Sequence, residues 1–486
     1  MDDDAHLPPD NDASAWQEYW RSFGARYLNP LPDGDGELWR REPLIKPDRQ
    51  TFLRERLAVQ PSIPDMRFPL KGVALTRADI EWLLDTHDQG RGPVDGQDPE
   101  QRERTGLDLR GADLSNLDLS RLPLAGLRGG LTDNERITAT TAEEEAAAVR
   151  LNNAQLYHAY LQWSQLAGAQ LEGADLARAR LQGAHLAAAN LTRVDLRAAH
   201  LEGAMLEAAI LEGADLTRAH LDDANMRWAR CENADLKFAL LFGVDLREVH
   251  FESADLTRAH LEGADLRLCF FDSATTLDRV YFCDKVHGCA LLADIHWSDV
   301  NLSLIEWSSV HTLTGKWPRR REDPSIRAYV THREQSIAQY DEAVRANRQL
   351  AIVLYNQGLN EEGARFSQAA YIVRRRLYRL RRRYIRWMLS WIISALAGYG
   401  HAPGRTVAWY VAIISICALL YWRLGSPDPI VESFTAFHGR GFFIEQYKLG
   451  NPEYRIAAAE AVIGLLIEIC FIATFTQRFL GRGSDN

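Results

Sequence analysis

A five-residue period governs the apolar and polar positions in the middle of the chain. From Ala154 onward every fifth residue is small, and a large apolar residue stands two positions after each of them, from Leu156 to Phe271. Nearly all of these large residues are Leu. The period fits neither the 3.6 residues of a helix nor the two residues of a flat strand. It predicts a coil with five residues per side, in which the large residue fills the interior and the small residue also points inward.

The repeated units read AHL, ADL, ANL and VDL, as in Ala214-Asp215-Leu216. This pattern resembles the A(D/N)LXX motif of the pentapeptide-repeat family. The resemblance implies a right-handed quadrilateral β-helix in which four units make one complete coil. The 24 central positions from Leu156 to Phe271 then give about six coils, which stack at the strand spacing of roughly 4.8 Å into a rod of roughly 29 Å.

The register shifts outside this block, and these shifts suggest the domain boundaries. A leading run in another phase precedes a polar insertion, and its central residues are Leu109, Leu114, Leu119 and Leu124. A weaker run follows the break after Ala274, and its central residues are Ile295, Val300 and Ile305. We therefore expect a continuous β-helix over residues 107–305 with an insertion at about 129–150. Residues 1–106 form an N-terminal region, in which the amphipathic stretch at 70–90 is suited to cap the open coil end.

Aspartates recur at every fourth unit, once per coil, and should form a ladder on one face: Asp175, Asp195, Asp215, Asp235 and Asp255. Residues 151–275 carry a net charge of −7, and some pentapeptide-repeat proteins mimic DNA. A basic residue follows each aspartate by two or three positions, however, so we favour a solvated structural face and do not expect nucleic acid as a partner. His200, His220 and His260 also share one face, where we expect surface polar groups.

Residues 306–383 are predicted to form a helical connector. Gly358 should end one helix and Asn360 can cap the next. The pair resembles a single tetratricopeptide-like hairpin, which is too little for a binding groove, so we interpret it as a connector.

Eight arginines lie between Arg374 and Arg386, immediately before Trp387 and an apolar stretch. Arginine next to tryptophan at the foot of an apolar segment is typical of the cytoplasmic headgroup layer. We therefore predict an interfacial helix at 384–405 that contacts the lipid bilayer. Its membrane-interface residues would be Arg381, Arg382, Arg383 and Arg386.

Two apolar runs follow, Thr406–Leu424 and Ile456–Phe475, and each is long enough to cross a bilayer. A buried soluble hairpin is the alternative. Basic residues flank both runs on their outer sides, and the acidic N-terminus lacks a signal-peptide pattern. The sequence thus predicts a multi-pass protein of the inner cell membrane with its N- and C-termini and its coil in the cytoplasm.

The segment between these runs begins as a short helix at Pro429 and continues into a Gly-x-Gly turn. Span, short helix, Gly-x-Gly and span resemble the two-transmembrane potassium-channel-type pore with its re-entrant loop. The resemblance covers Ala397 to Arg482, with the pore domain at 406–482, and implies a homotetramer. Bacterial proteins that join pentapeptide repeats to such pores are similar, so we expect a bacterial channel.

The pore-loop residues by this resemblance are Phe437, His438, Gly439, Arg440 and Gly441. Three of them replace the family's Thr, Val and Tyr, and a ring of four arginines would repel cations. The permeating ion is therefore unknown: the pore could pass anions, be weakly selective, or not conduct in this form.

Three residues of the second run are further candidates: Glu460, Gly464 and Glu468. Carboxylates inside a span are costly and usually face water or a partner. The two glutamates lie about 80° apart around the helix, so both could lie near one side. By the resemblance Glu460 would brace the pore loop, against Arg440. Glu468 would either line the pore as a ring or make an interhelical hydrogen bond.

The net charge of −10 and the mean hydropathy of −0.28 describe an apparently soluble chain, because the large non-membrane part outweighs the apolar runs. Six cysteines without a CxxC pair indicate neither a disulfide framework nor a zinc motif, since Cys283, His287 and Cys289 lack a fourth ligand. We find no catalytic motif and expect no enzyme and no cofactor. The prediction is an ion channel of non-standard selectivity with a β-helix that senses or scaffolds a protein partner; the alternative is a membrane-anchored adaptor with a non-conducting pore-like domain.

Overall fold

The computed structural model describes residues 7–9, 12–23, 37–307, 310, 332–400, 403–439 and 452–475. The chain forms two compact units, Met1–Glu322 and Asp323–Asn486. The first unit contains the coil and the second is helical throughout its described part.

The coil of the first compact unit is defined by parallel bridges between each five-residue repeat and the fourth repeat after it. One column runs Asp175, Asp195, Asp215, Asp235 and Asp255, and three further columns of the same spacing complete the four sides. The large central residues from Leu156 to Phe271 are at most 2% exposed. The five-residue repeats therefore form the quadrilateral β-helix that the family resemblance implies.

Backbone geometry explains the five-residue unit. The amide N–H of Leu176 donates to the carbonyl oxygen of Asp195 on the next coil at 2.8 Å, and Asp195 donates back to Ala174 at 3.0 Å. A corner follows, at which the residue two positions after the central Leu often adopts positive φ. Gly183 holds such a corner, and a Cβ there would lie 2.1 Å from the Trp163 ring. Only glycine fits this corner without displacing the indole.

The insertion lies within the second coil. Arg128 and Arg150 occupy successive bridge positions of that coil. The chain between them forms two short helices, α4 (Asp133–Arg136) and α5 (Thr141–Ala147), each of which begins with a capping box.

In the described part of the N-terminal region, three α-helices precede the coil: α1 (Ala13–Arg21), α2 (Pro47–Leu57) and α3 (Arg77–Gly90). The last turn of α3 departs from helical geometry at His87. Arg77 lies on α3 and donates to the carbonyl oxygen of Asp118 in the first coil at 2.8 Å, while Ala74 pairs with Asp113. The segment before and within α3 therefore covers the open edge of the first coil.

The coil becomes irregular towards its end. The sequence separation of bridged residues is constant in the regular part of the coil. It increases slightly where Asp255 pairs with Thr276, and by more where Asp265 pairs with Leu291. A hairpin accounts for the larger departure, and in it Cys283 and Cys289 form an antiparallel bridge and a disulfide. The sequence analysis indicated no disulfide, because the short separation of the two cysteines reveals no pairing until the hairpin brings their backbones together.

In the second unit α6 (His332–Asn356) and α7 (Asn360–Leu380) form a hairpin around Gly358, whose φ is +76°. Asn360 is the first helical residue, and Leu359 takes the N-cap position without a side-chain bond. Asn360 therefore does not cap the helix as predicted. The remaining helices are α8 (Tyr384–Ala397), α9 (Pro403–Arg423), α10 (Pro429–Phe437) and α11 (Pro452–Phe475). Helices α8, α9 and α11 pack against one another, and the short α10 packs on α9 and α11.

Candidate functional site

The short helix α10 is fixed between α9 and α11 by its polar and apolar residues. Pro429 starts it at N1, where no N–H is needed. Ser433 and Phe437 are buried on its inner face. The Ser433 hydroxyl lies 3.0 Å from the carbonyl oxygen of Ile414 on α9 and also contacts the Glu460 carboxylate on α11. One hydroxyl thus connects all three helices.

Gly464 sets the distance between α11 and the end of α10. A Cβ at Gly464 would lie 2.1 Å from the carbonyl oxygen of Phe437 and 3.1 Å from its ring. The Phe437 ring also packs edge-on against Tyr410 of α9, with 4.8 Å between centroids. The close approach therefore requires glycine at this position.

His438 follows α10 and contacts both long helices. Its Nδ1 lies 2.8 Å from the carbonyl oxygen of Phe434, and its Nε2 lies 3.2 Å from the Tyr410 hydroxyl and 3.4 Å from a Glu468 carboxylate oxygen. With a proton on Nδ1 donated to Phe434, the ring can accept from the Tyr410 hydroxyl at Nε2. The imidazole therefore links the end of α10 to both α9 and α11.

The two glutamates of α11 have different surroundings. Glu460 is 1% exposed and faces α10, where its partner is Ser433. Glu468 is 37% exposed and borders a cavity of about 330 Å³ between α9 and α11, together with Thr406 and Tyr410. Glu460 therefore contacts the short helix itself, and Glu468 contacts the residue that follows it.

Of the predicted pore-loop residues, the structure describes Phe437, His438 and Gly439, whose φ is +73°. Arg440 and Gly441 lie outside the described residues, and so does the predicted contact between Glu460 and Arg440. Of the predicted interface residues, Arg381 ion-pairs with Asp341. Arg382, Arg383 and Arg386 are exposed at the start of α8.

The aspartate ladder of the coil has a structural role that the sequence analysis missed. In every rung Oδ1 accepts a hydrogen bond from the backbone N–H two residues later, at 2.9–3.0 Å. Two cations bridge neighbouring rungs: Arg197 lies between Asp195 and Asp215, and Lys237 between Asp235 and Asp255. Each rung is therefore an Asx turn, in which the carboxylate stabilises its own corner of the coil.

The repeat is also recognised by comparison with known proteins. A family model for pentapeptide repeats matches in eight copies between residues 154 and 272. The chain belongs to the pentapeptide-repeat family. The matched residues coincide with the regular part of the coil, and no curated protein matches the chain.

Parts of the chain are similar to solved structures of pentapeptide-repeat proteins. HetL, a pentapeptide-repeat protein of the cyanobacterium Nostoc sp. strain PCC 7120, is 28% identical over 40% of this chain and 73% of its own, with a TM-score of 0.22. A second Nostoc PCC 7120 pentapeptide-repeat protein, alr5209, is 30% identical over 24% of this chain and 83% of its own, with a TM-score of 0.14. Because these TM-scores are low, the family rests on the repeat units and not on superposition.

Among the described residues, Gly404–Arg423 within α9 is long and apolar enough to cross a membrane. Its most apolar stretch has a mean hydropathy of 1.5 and is 11% buried. Tyr384–Leu396 of α8 is a shorter apolar helix. The predicted second span corresponds to α11, which carries Glu460 and Glu468, and it does not meet that test in the described part of the chain.

Proposed function

We propose that this pentapeptide-repeat protein is a subunit of a membrane ion channel of non-standard selectivity, whose coil is a cytoplasmic sensing or scaffold domain. The observation that carries the proposal is the position of α10. A nine-residue helix sits between two long apolar helices and ends in a glycine turn.

The contacts around α10 fit a re-entrant segment. Irregular backbone is tolerated at membrane depth only where protein buries it or a watery cavity solvates it. The Ser433 hydroxyl contacts one carboxylate oxygen of Glu460 inside the packing, and Gly464 lets the Phe437 carbonyl approach α11. Next to this end, His438 contacts Glu468, and Glu468 lines a cavity. Intramembrane ionisable groups commonly mark an ion path.

One loop per chain cannot enclose a pore, so the proposal includes a closed ring of about four identical subunits. The two spans would be α9 and α11, and the exposed apolar residues of α8, such as Tyr384, Ile385 and Trp391, would lie in the inner headgroup layer of a bacterial membrane. Both chain ends and the coil would then be cytoplasmic. The identity of the permeating ion is left open, because the predicted pore loop contains an arginine and a histidine.

The experiment is reconstitution of the full-length protein into planar bilayers, with particle mass measured in the same detergent. We expect a tetramer and ion current. The variant Glu468→Gln should change conductance or ion preference, because it removes the carboxylate beside His438. The matched control is Glu361→Gln, which removes an equally charged, exposed side chain from α7. A tetramer without current under a range of salts and voltages contradicts the channel, and an unchanged current in Glu468→Gln removes this residue from the ion path.

The alternative is a membrane-anchored adaptor with a non-conducting pore-like domain, and a surface of the coil favours it. Phe238 is 38% exposed between the guanidinium groups of Arg218 and Arg258, which lie 5.8 and 5.6 Å from its ring centroid. Exposed aromatic residues with arginine are enriched where proteins bind one another. A protein that is monomeric or dimeric in detergent, and that loses a protein partner on Phe238→Ala while its membrane fractionation is unchanged, would favour the adaptor.

A further inference from the structure

Two histidines on neighbouring coils lie above each other at one corner of the β-helix. His200 and His220 are paired in the bridge ladder, and their rings stack with 4.7 Å between centroids. An acidic residue follows each of them by two positions, Glu202 on one coil and Asp222 on the next. Two imidazoles and two carboxylates therefore converge on a single corner.

The ligand atoms of this corner are close together. Glu202 Oε1 lies 3.0 Å from His200 Nδ1 and 4.0 Å from His220 Nδ1. One ligand atom from each of these three residues lies within 4.8 Å of the others. Glu202 Oε2 and Asp222 Oδ1 are closed to solvent and have no hydrogen-bond partner among the described residues. Both oxygens are therefore available as ligand atoms.

Two other His–Glu pairs of the coil provide an internal contrast. His250 pairs with Glu252 and His260 with Glu262 at 3.1 Å, the same two-residue offset. Phe270 stacks on His250 and Tyr281 on His260, each at 4.5 Å. An aromatic ring without a nitrogen donor thus takes the place of the second imidazole, and of these three pairs only His200–Glu202 has a second nitrogen ligand beside it.

We propose that His200, Glu202, His220 and Asp222 form a binding site for a divalent transition-metal ion of the zinc type. Zn²⁺ takes imidazole nitrogen and carboxylate oxygen at about 2.0–2.2 Å, which places the ligand atoms about 3.4 Å apart in a tetrahedron. The four side chains are at a corner and partly exposed, so small rotations bring them to that separation. The bound ion would clip two successive coils together and neutralise the two carboxylates. The proposal is independent of channel activity.

The test uses the full-length, untagged protein in detergent after removal of metals with EDTA. Titration with ZnCl₂ alone should give one equivalent that His200→Gln/His220→Gln loses, and that Glu202→Gln binds at least about tenfold more weakly. The control, His250→Gln/Glu252→Gln, removes the same residue types and should bind as the parent does. Mg²⁺ in excess should not compete, because imidazole nitrogen is a poor magnesium ligand.

X-ray absorption of the zinc complex should show two imidazole nitrogens and carboxylate oxygen in the metal shell. Circular dichroism of each variant checks that the coil remains folded, and Glu202→Gln keeps the side-chain shape should the double variant unfold. The proposal is overturned if the parent binds no zinc, or if Glu202→Gln and the double variant both bind it as tightly as the parent. A shell without two imidazoles would also overturn it.

Discussion

Replacing Gly464 with alanine should separate α11 from the end of α10. The added Cβ would lie 2.1 Å from the Phe437 carbonyl oxygen, 2.9 Å from its carbonyl carbon and 3.1 Å from a ring carbon. A carbon and a carbonyl oxygen that are not bonded approach to about 3.3 Å. The backbones must therefore move apart by more than about 1 Å, and the obstructing oxygen cannot rotate away because it belongs to the main chain.

The free-energy change follows from two opposed effects. Overpacking of a well-packed contact costs about 1–3 kcal/mol. Alanine is also the better helix former, which offsets this by about 1 kcal/mol in a helix interior. We therefore expect a net destabilisation of up to about 2 kcal/mol in the second unit. At about 2–4 °C per kcal/mol for a unit of this size, its apparent Tm should fall by up to about 8 °C.

Gly404 provides the matched control. It lies in the first turn of α9, and a Cβ there would meet no atom within 4 Å. Gly404→Ala should therefore leave the stability unchanged or raise it slightly. Both variants would be compared in detergent by thermal unfolding and by the rate at which Cys417 of α9 is alkylated, resolved peptide by peptide with mass spectrometry. Cys417 reports on the second unit alone.

If Gly464→Ala and Gly404→Ala unfold at the same temperature, and Cys417 is alkylated equally slowly in both, the close approach of α11 to Phe437 is wrong. If the channel proposal holds, Gly464→Ala should also reduce the bilayer current, because the carbonyl end of α10 would leave its position.

Three shorter predictions concern the coil. The Asp255 pKa lies below its ordinary value of 3.8, because burial raises it but hydrogen bonds from Thr257 and a salt bridge outweigh that effect; Asp255→Ala should lose about 1 kcal/mol at neutral pH. Asp255→Asn keeps the Oδ1 acceptor and should therefore lose less stability. The difference in unfolding free energy between the parent and Asp255→Asn should narrow as the pH falls through the folded-state pKa of Asp255. A difference that widens in acid contradicts this. Leu216→Ala should cost about 2–5 kcal/mol in urea unfolding, because its side chain is fully buried in the coil, and a loss below about 1 kcal/mol would refute that packing. Cys283 and Cys289 are paired in the structure, whereas a reducing cytoplasm keeps thiols free; alkylation in intact cells should modify both if the coil is cytoplasmic, and protection of both would contradict that location.

The regular coil could be predicted because every unit repeats the same local chemistry. A Leu at the central position of a repeat is buried only if it points into the coil. The next coil has the same requirement at a constant separation along the sequence. Pro429 likewise marked the first residue of α10, since proline fixes φ and needs no donor there. In both cases the decisive interaction lies within a short stretch of chain or recurs with each coil.

Other features depended on contacts that no local pattern encodes. The contact of Glu460 with Ser433, which the packing of α10 brings to α11, was not predicted, and the predicted contact with Arg440 lies outside the described residues. Leu359, rather than Asn360, occupies the N-cap because the Gly358 turn sets where the helix begins. The hairpin that pairs Cys283 with Cys289 interrupts the repeat and follows no period.

The charge of the coil illustrates why counting residues is a poor guide to function. Residues 151–275 carry a net charge of −7, yet each aspartate of the ladder uses one carboxylate oxygen to hold its own turn. Arg197 and Lys237 each contact two rungs. The ladder carboxylates are therefore partly committed to the fold and partly neutralised, so their outward field is weaker than their number suggests. A DNA mimic needs unpaired charge at phosphate-like spacing, whereas these carboxylates recur where a turn requires an acceptor. Asn190 and Asn225 accept the same backbone hydrogen bond without any charge, which indicates that this position selects the acceptor and not the charge.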